Sequence, residues 1–464
     1  MGFKGKERGI GQDVNGITDG VIWQQLLLFF FPILLGTFFQ QLYNTVDAII
    51  VGKFVGKEAL AAVGGVTGNL ISLVVGFFVG LSSGATVVIS QSYGGRRDGD
   101  VSVSVHTAAA IALAGGVVMT LLGYFVLPLC LEMMGTPAEV MGPAVTYTRI
   151  FSFGMLPSLI YNIGSGVLRA VGDSRRPLLF LICACVTNII LDIVMVVGLE
   201  MGVAGAALAT ILSQLVSAVL ITGTLCRSHA SYRLVPRAIR FSGAYVGRIF
   251  RIGLPAGVQS VLYSISNVVI QVSVNTFGTN VLAAWTAYGK LDTLYWMIIN
   301  AFGVAITTFV GQNFGAGKYD RMKKSVYTCL LMTLAATLFV TGFMLLFGRT
   351  LLRLFTDDPQ VMEAGLGILQ LLVPTYFTYL CIEILSGALR GAGDTLLPTL
   401  MTLTGVCLLR VAWIVFAVPH HNTLQTVLLC YPITWVTTSI LFVLYYWKGG
   451  WLNRRIRKAG LQGP

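Results

Sequence analysis

Charge is what this 464-residue chain has least of: Asp, Glu, Lys and Arg together make up 11% of it, against roughly a quarter in soluble domains. Side chains so poor in charge cannot give a protein of this size a water-binding surface, which leaves lipid as its solvent. Short segments of alternating polarity are missing as well, which excludes an outer-membrane barrel. Histidine occurs only four times, never as a pair inside an apolar run. With no HExxH and no GxSxG, a membrane-embedded hydrolase has neither metal ligands nor a nucleophile. His420 and His421 adjoin in a polar connection and read as solvated. The eight cysteines, Cys183 and Cys185 among them, fall almost all within or at the ends of apolar runs. They read as small core residues rather than a disulfide framework or a metal site. A phosphate loop fails too, because Gln312 stands where its first glycine should be and Tyr319 where Ser or Thr would hold magnesium. No nucleotide site is left, so any transport would have to run on an ion gradient.

What the chain does have is apolar length, 55% hydrophobic residues, which at about 20 residues per crossing gives room for a dozen membrane helices. The predicted spans are 22–46, 59–91, 102–130, 139–168, 177–198, 203–226, 244–275, 281–313, 324–348, 360–388, 397–418 and 424–447. Local sequence repeats across them. Gly166-Val-Leu-Arg-Ala-Val-Gly-Asp173 recurs in the second half as Gly387-Ala-Leu-Arg-Gly-Ala-Gly-Asp394. The same spacing carries Gln91-Ser-Tyr-Gly onto Gln312-Asn-Phe-Gly, and the block Met134 to Val140 onto Phe355 to Val361. Six spans per half is an even number, so the two repeats run parallel. The expected architecture is an all-α membrane protein of twelve transmembrane helices in two parallel six-helix repeats. Its parts are a tail (1–21), a first lobe (22–226), a linker (227–243), a second lobe (244–447) and a second tail (448–464). The tail before the first span is polar and the first apolar run is long, so an uncleaved first span is expected rather than a signal peptide.

The few charges that exist are ordered. With both termini placed inside, 24 of the 31 basic residues fall on the cytoplasmic side, four outside and three (Arg149, Lys290, Arg410) within spans. This is the positive-inside pattern. The formal net charge of +12 is thus mostly a topology signal; spread over separate loops, it argues against a nucleic-acid partner. The glycine runs, such as Gly76, Gly80 and Gly84, put small residues on one helix face, as close helix packing requires. Gln91 and Gln312 read as the starts of helix-ending turns.

Each carboxylate inside a span costs about 2.5 to 3.5 kcal/mol on insertion scales and so needs a reason. Gln40, Tyr43, Asn44 and Asp47 recur at i, i+3, i+4 and i+7 and form one polar stripe on the first span. Asn188 and Asp192 share a face of the fifth span, as do Thr210 and Gln214 on the sixth. If these stripes converge, two carboxylates, an amide and a hydroxyl supply the hard oxygen ligands that suit sodium. Two close carboxylates could equally share one proton. The repeat partners of Asp47, Asn188 and Asp192 are Asn267 (at a spacing of 220), Leu409 and Trp413 (at 221), so the carboxylate pair belongs to the first half alone. Lys290, Asp292, Glu383 and Arg410 are the second half's buried charges. Mutual neutralisation is expected for most of them; Glu383 could instead meet a cationic substrate. Its aromatics, Tyr263, Tyr288, Tyr295, Trp296, Tyr376, Tyr379 and Trp435, could stack on organic cations.

From Pro32 to the twelfth span the chain resembles the multidrug and toxic compound extrusion (MATE) transporters, specifically their DinF-type branch. The likeness is carried by Pro32, Gln40, Leu42-Tyr-Asn-Thr-Val-Asp47, the paired Leu-Arg-x-x-Gly-Asp blocks, the Gln91 and Gln312 turns, Asn188 with Asp192, and Gly205-Ala-Ala-Leu-Ala-Thr210. The resemblance implies two lobes around a central cleft, alternating access, and export of organic cations against sodium or proton entry, with no cofactor besides the ion. It also implies that Asp47, Asn188, Asp192 and Thr210 form a cation site and that Pro32 lets the first helix bend. Tyr263 and Tyr379 stand where the NorM-type branch carries carboxylates, which argues against a second sodium site. The expected protein is a multi-pass antiporter of the bacterial cytoplasmic membrane. It should work as a monomer, since both halves of a pathway lie in one chain. The rival expectation is a lipid-linked oligosaccharide flippase of the same superfamily, against which the acidic interior of the first half speaks.

Overall fold

The computed structural model describes residues 16–460; the expected tail up to residue 15, with its three basic residues, and the last four residues lie outside the described residues. Every regular element among the described residues is helical, as lipid demands of a backbone that must satisfy its own hydrogen bonds. Among the described residues eleven helices are long and apolar enough to cross a membrane, and a bent pair counted as one span makes a twelfth.

The first span, Ile22–Phe54, runs past the predicted end at 46 and passes through Pro32 as one helix. A short helix, Lys57–Gly64, follows, and the second span begins only at Val66, because Gly64 and Gly65 interrupt what reads as one apolar run. The third span is Asp98–Met133. The fourth is broken into Ala138–Phe153 and Met155–Ala170, bent by 47°. Pro157 has no N–H for the carbonyl of Phe153, and Gly154 tolerates the break. The fifth span, Arg175–Asp192, continues as a π-helical turn over Ile193–Gly198, and the sixth is Gly202–Arg227. In the second half the spans are Gly243–Asn275, Thr279–Gly315, Tyr319–Arg353, Pro359–Gly391, Leu396–Ala417 and Leu424–Lys448. Of these, the tenth is interrupted by a 3-10 segment over Val373–Thr378, at Pro374, and the eleventh by π turns over Leu403–Leu408 and Trp413–Ala417.

Two large apolar cores result, one built mainly by spans two to six and the other by spans eight to twelve. Two helices cross between them. Leu26, Phe29 and Phe30 at the start of the first span pack in the second-half core, where Phe30 stacks on Phe302 at 4.1 Å between ring centres. Ile50 and Val51 at its end belong to the first-half core. The seventh span does the converse with Ile249 and Ile252. Gly76, Gly80 and Gly84 let it press on the second span: a Cβ on Gly80 would strike the backbone of Gly257, and one on Gly84 the backbone of Ile249 and Gly253.

The halves meet most tightly at the face that carries the described chain ends and most of the described basic residues. Gln91 and Gln312 open the last turns of the second and eighth spans, as expected: the capping N–H groups of Gly95 and Ala316 donate to their carbonyls. Gln91 Nε2 donates to the carbonyl of Gly391 at 2.8 Å, and Gln312 Nε2 donates to that of Ala170 at 2.6 Å. The two donors, and likewise the two acceptors, stand at the spacing that relates the repeats, so each half bonds the other through the same pair of atoms. Gly94 and Gly315 make this possible, because a Cβ on either would strike the backbone carbonyl of Gln312 or Gln91 respectively. The helix Gly16–Asp19 closes over this face: Arg321 donates to the carbonyl of Ile17, and Lys318 pairs with Asp19. The hydrogen bond from Lys318 holds the Asp19 carboxyl below its usual range. At the opposite face the halves part, leaving a cavity of about 510 Å³ lined by Gln41, Asn44, Thr45 and Lys53 on one side and Lys290 on the other.

Each glutamine bond contributes about 1 kcal/mol net, so losing both should shift the balance between closed and open basic faces by roughly 30-fold. In Gln91→Ala/Gln312→Ala protein, a cysteine placed at buried Ser90 should become labelled by a water-soluble maleimide from the basic face, while the same cysteine in otherwise unaltered protein stays protected.

Candidate cation site

Three helices of the first half converge on an acidic pocket. Asp47 comes from the outer part of the first span, Asn188 and Asp192 from consecutive turns of the fifth, and Thr210 from the sixth. All four are buried, Asp192 fully. Asp192 lies within electrostatic reach of Asp47. Tyr147 of the fourth span adjoins Thr210 and feels both carboxylates. Asn188 and Asp192 share their face because the helix is regular up to Asp192, where it passes into the π turn over Ile193–Gly198. A wider turn of this kind often marks a functional position.

The pocket gathers several unmet hydrogen-bonding atoms in one place. Among the described residues, Asp47 Oδ1, both carboxylate oxygens of Asp192, and both amide atoms of Asn188 are buried without a hydrogen-bond partner. Buried polar atoms are ordinarily paired, and a carboxylate left unpaired costs several kcal/mol. The four oxygens among these atoms fit the ligand set of a desolvated sodium ion. Two neighbouring carboxylates also suit a single shared proton.

The remaining stripe residues divide. Tyr43 turns with Asp47 toward the fifth span and interacts with Gln40, whereas Asn44 faces the open cavity. Gln214 lies against the break at Gly154, and its Oε1 is buried and unpaired among the described residues.

The expected neutralisation among the second half's charges does not occur. Among the described residues the three ion pairs are Arg97–Asp100, Arg176–Asp173 and Lys318–Asp19, all at the basic face. Asp292 instead accepts from Trp296 Nε1 at 2.7 Å and from the hydroxyls of Tyr376 at 2.5 Å and Tyr288 at 3.3 Å. It borders a cavity of about 190 Å³ lined by Tyr263, Tyr288, Trp296, Tyr431 and Trp435. Glu383 packs on Gly303, with Tyr379 and Arg390 as its polar neighbours. Lys290 is exposed in the cleft. Arg410 is fully buried, with Nη1 donating to Asn267 Oδ1 at 2.8 Å and its guanidinium 4.6 Å from the ring centre of Tyr431 and 5.4 Å from that of Tyr263. Neutral donors satisfy the carboxylate, and ring faces hold the cation, whose Nε and Nη2 are buried without a hydrogen-bond partner among the described residues.

Residues 32–194 and 255–416 match the MatE family model. The chain belongs to the MATE family. One relative is the "Probable multidrug resistance protein YoeA" of Bacillus subtilis, 26% identical over 94% of this chain and 96% of its own length. Another is the "Probable multidrug resistance protein NorM" of Thermotoga maritima, 26% identical over 79% of each. A structure described as the "Outward-facing conformation of a multidrug resistance MATE family transporter of the MOP superfamily" superposes with a TM-score of 0.87 at 23% identity, covering 97% of this chain and 99% of that one. This MATE protein is therefore a multi-pass membrane transporter with the fold of its family. Asp47, Asn188 and Asp192 lie inside the first matched stretch, Thr210 beyond it.

Tyr147 is the pocket residue that sequence reasoning misses, since one tyrosine in an apolar run carries no signal of its own. A carboxylate held without partners stores instability for function. Asp192→Asn should therefore raise the melting temperature of detergent-purified protein, by about 1–2 kcal/mol of stability. The wild type should gain stability on addition of sodium or on acidification, and Asp47→Asn/Asp192→Asn should respond to neither. Differential scanning fluorimetry across sodium concentration and pH measures both.

Proposed function

We propose that this MATE transporter is a secondary antiporter of the DinF-type branch, exporting amphiphilic organic cations across a bacterial cytoplasmic membrane against entry of sodium or protons. The observation that carries this reading is the pair of buried, unpartnered carboxylates, Asp47 and Asp192. A cation entering from the far face reaches the cleft first, where polar side chains of the first span stand exposed, and the acidic pocket lies behind that span. Cation occupancy neutralises the pocket and changes what the first span packs against. The first span crosses from one core to the other, so its packing bears on both halves. An ion or substrate shifts the balance between two states only through its difference in affinity for them.

The basic face is read as cytoplasmic, from its excess of Lys and Arg. On this reading the structure is outward-facing, with Gln91 and Gln312 holding the inner side shut. Pro32, which removes one backbone hydrogen bond from the first span, supplies the place where that helix can bend. One chain contains both halves of the pathway, which suits a monomer.

Uptake of ethidium into everted membrane vesicles tests this, with proton and sodium gradients imposed separately. Wild-type protein should concentrate the dye under one of the two gradients, and Asp47→Asn should abolish that uptake. Folded wild-type protein that moves no organic cation under either gradient contradicts the reading and favours a lipid-linked substrate.

A further inference from the structure

The second half has a counterpart of the acidic pocket, built from the same three spans of its own repeat. There the seventh, eleventh and twelfth spans replace the first, fifth and sixth. Asn267 and Tyr263 lie 220 residues after Asp47 and Tyr43, one short of the spacing of 221 that carries Thr210 onto Tyr431. These three residues contact Arg410, which follows Leu409, the repeat partner of Asn188, and they also line the cavity that Asp292 borders. The Nη1 of Arg410 bonds Asn267, and its charge lies against the rings of Tyr263 and Tyr431. The first half therefore has unpaired acceptors where the second has a cation.

We propose that Arg410 is a tethered cation that permanently fills the second half's counterpart of the coupling site, so that only the first half exchanges an ion with solution. The inference rests on the antiport reading for what the first-half pocket does, but the occupancy of the second-half pocket is argued independently of it. A guanidinium suits the role. It stays charged at any physiological pH, is weakly hydrated, and its flat face packs on aromatic rings. Arg410 is wholly enclosed, and among the described residues it has no carboxylate partner; Asn267 supplies a neutral amide oxygen where the first half has an acid. The neutral amide of Asn267, on the span that corresponds to that of Asp47, is what lets a fixed positive charge take the place of an exchangeable one. Asp292 borders the same space, so the effect of the fixed charge is local: a mobile cation is disfavoured beside Asn267 and favoured beside Asp47, which makes the coupling one-sided in a two-fold repeated frame.

Chemical rescue tests the tethered cation without relying on transport. Arg410→Ala leaves a hole shaped for a guanidinium group. In purified protein this variant should melt at a lower temperature than wild type. Guanidinium chloride at millimolar, non-denaturing concentration should restore at least half of the loss, while urea, its uncharged isostere, restores none and neither raises the wild-type value. Equal restoration by urea, or none by guanidinium, overturns the proposal in favour of a merely space-filling side chain. Should Arg410→Ala fail to fold, Asn267→Asp serves instead: a carboxylate offered to a resident cation should raise the melting temperature, and a fall would overturn the proposal. Failure of the antiport reading would look different, as an absent response of the wild type to sodium and acid with guanidinium rescue intact.

Discussion

The molecule depends on the crossing of the second and eighth spans at the basic face. Two glycines, Gly94 and Gly315, let the helices approach until each backbone touches the other's glutamine, and each glutamine then reaches a carbonyl at the end of the opposite half's broken helix. Lipid offers no hydrophobic force to press helices together, so close backbone approach and interhelical hydrogen bonds do that work. Because the contact is reciprocal, it fixes both halves about one pseudo-two-fold point. The halves are free to diverge on the far side, where the cleft opens.

Within that symmetric frame the chemistry is unequal. Neighbouring spans of the first half present oxygens with nothing to bond; the corresponding spans of the second present a guanidinium cushioned by an amide and two rings. Both sites hold unmet hydrogen-bonding atoms, carboxylate and amide oxygens on one side and the Nε and Nη2 of Arg410 on the other. This inequality of charge is the pattern expected when one half must bind and release an ion while its partner supplies a surface against which to move. The first span joins the two roles, since it carries Asp47 at one end and packs Phe30 against Phe302 in the opposite core at the other.

The fold was legible in the sequence because the properties that define it are local: apolar length, the excess of basic residues on alternate connections, and a repeat at constant spacing. The acidic pocket was legible for a related reason, since a carboxylate in an apolar run is costly wherever the run folds. Features made by distant contacts were not. Nothing around Gln91 marks Gly391, far along the chain, as its partner, and nothing near Thr210 points to Tyr147. The break at Gly154 and the π turn after Asp192 depend on neighbours as much as on local propensity. The expected pairing of Lys290, Asp292, Glu383 and Arg410 failed because it counted charges only. Tyr288, Tyr376 and Trp296 satisfy a carboxylate without any cation, and the rings of Tyr263 and Tyr431 hold a guanidinium without any anion.

On the antiport reading, cation occupancy of the Asp47–Asp192 pocket sets how far the two halves part. Spin labels at Lys57 and Thr279, exposed positions at the far face on either side of the cleft, report that separation by double electron–electron resonance in lipid nanodiscs. The distance distribution should change on addition of sodium or on acidification in otherwise unaltered protein and stay constant in Asp47→Asn/Asp192→Asn. An identical response in both, or none to either cation in protein with the pocket intact, would contradict that reading.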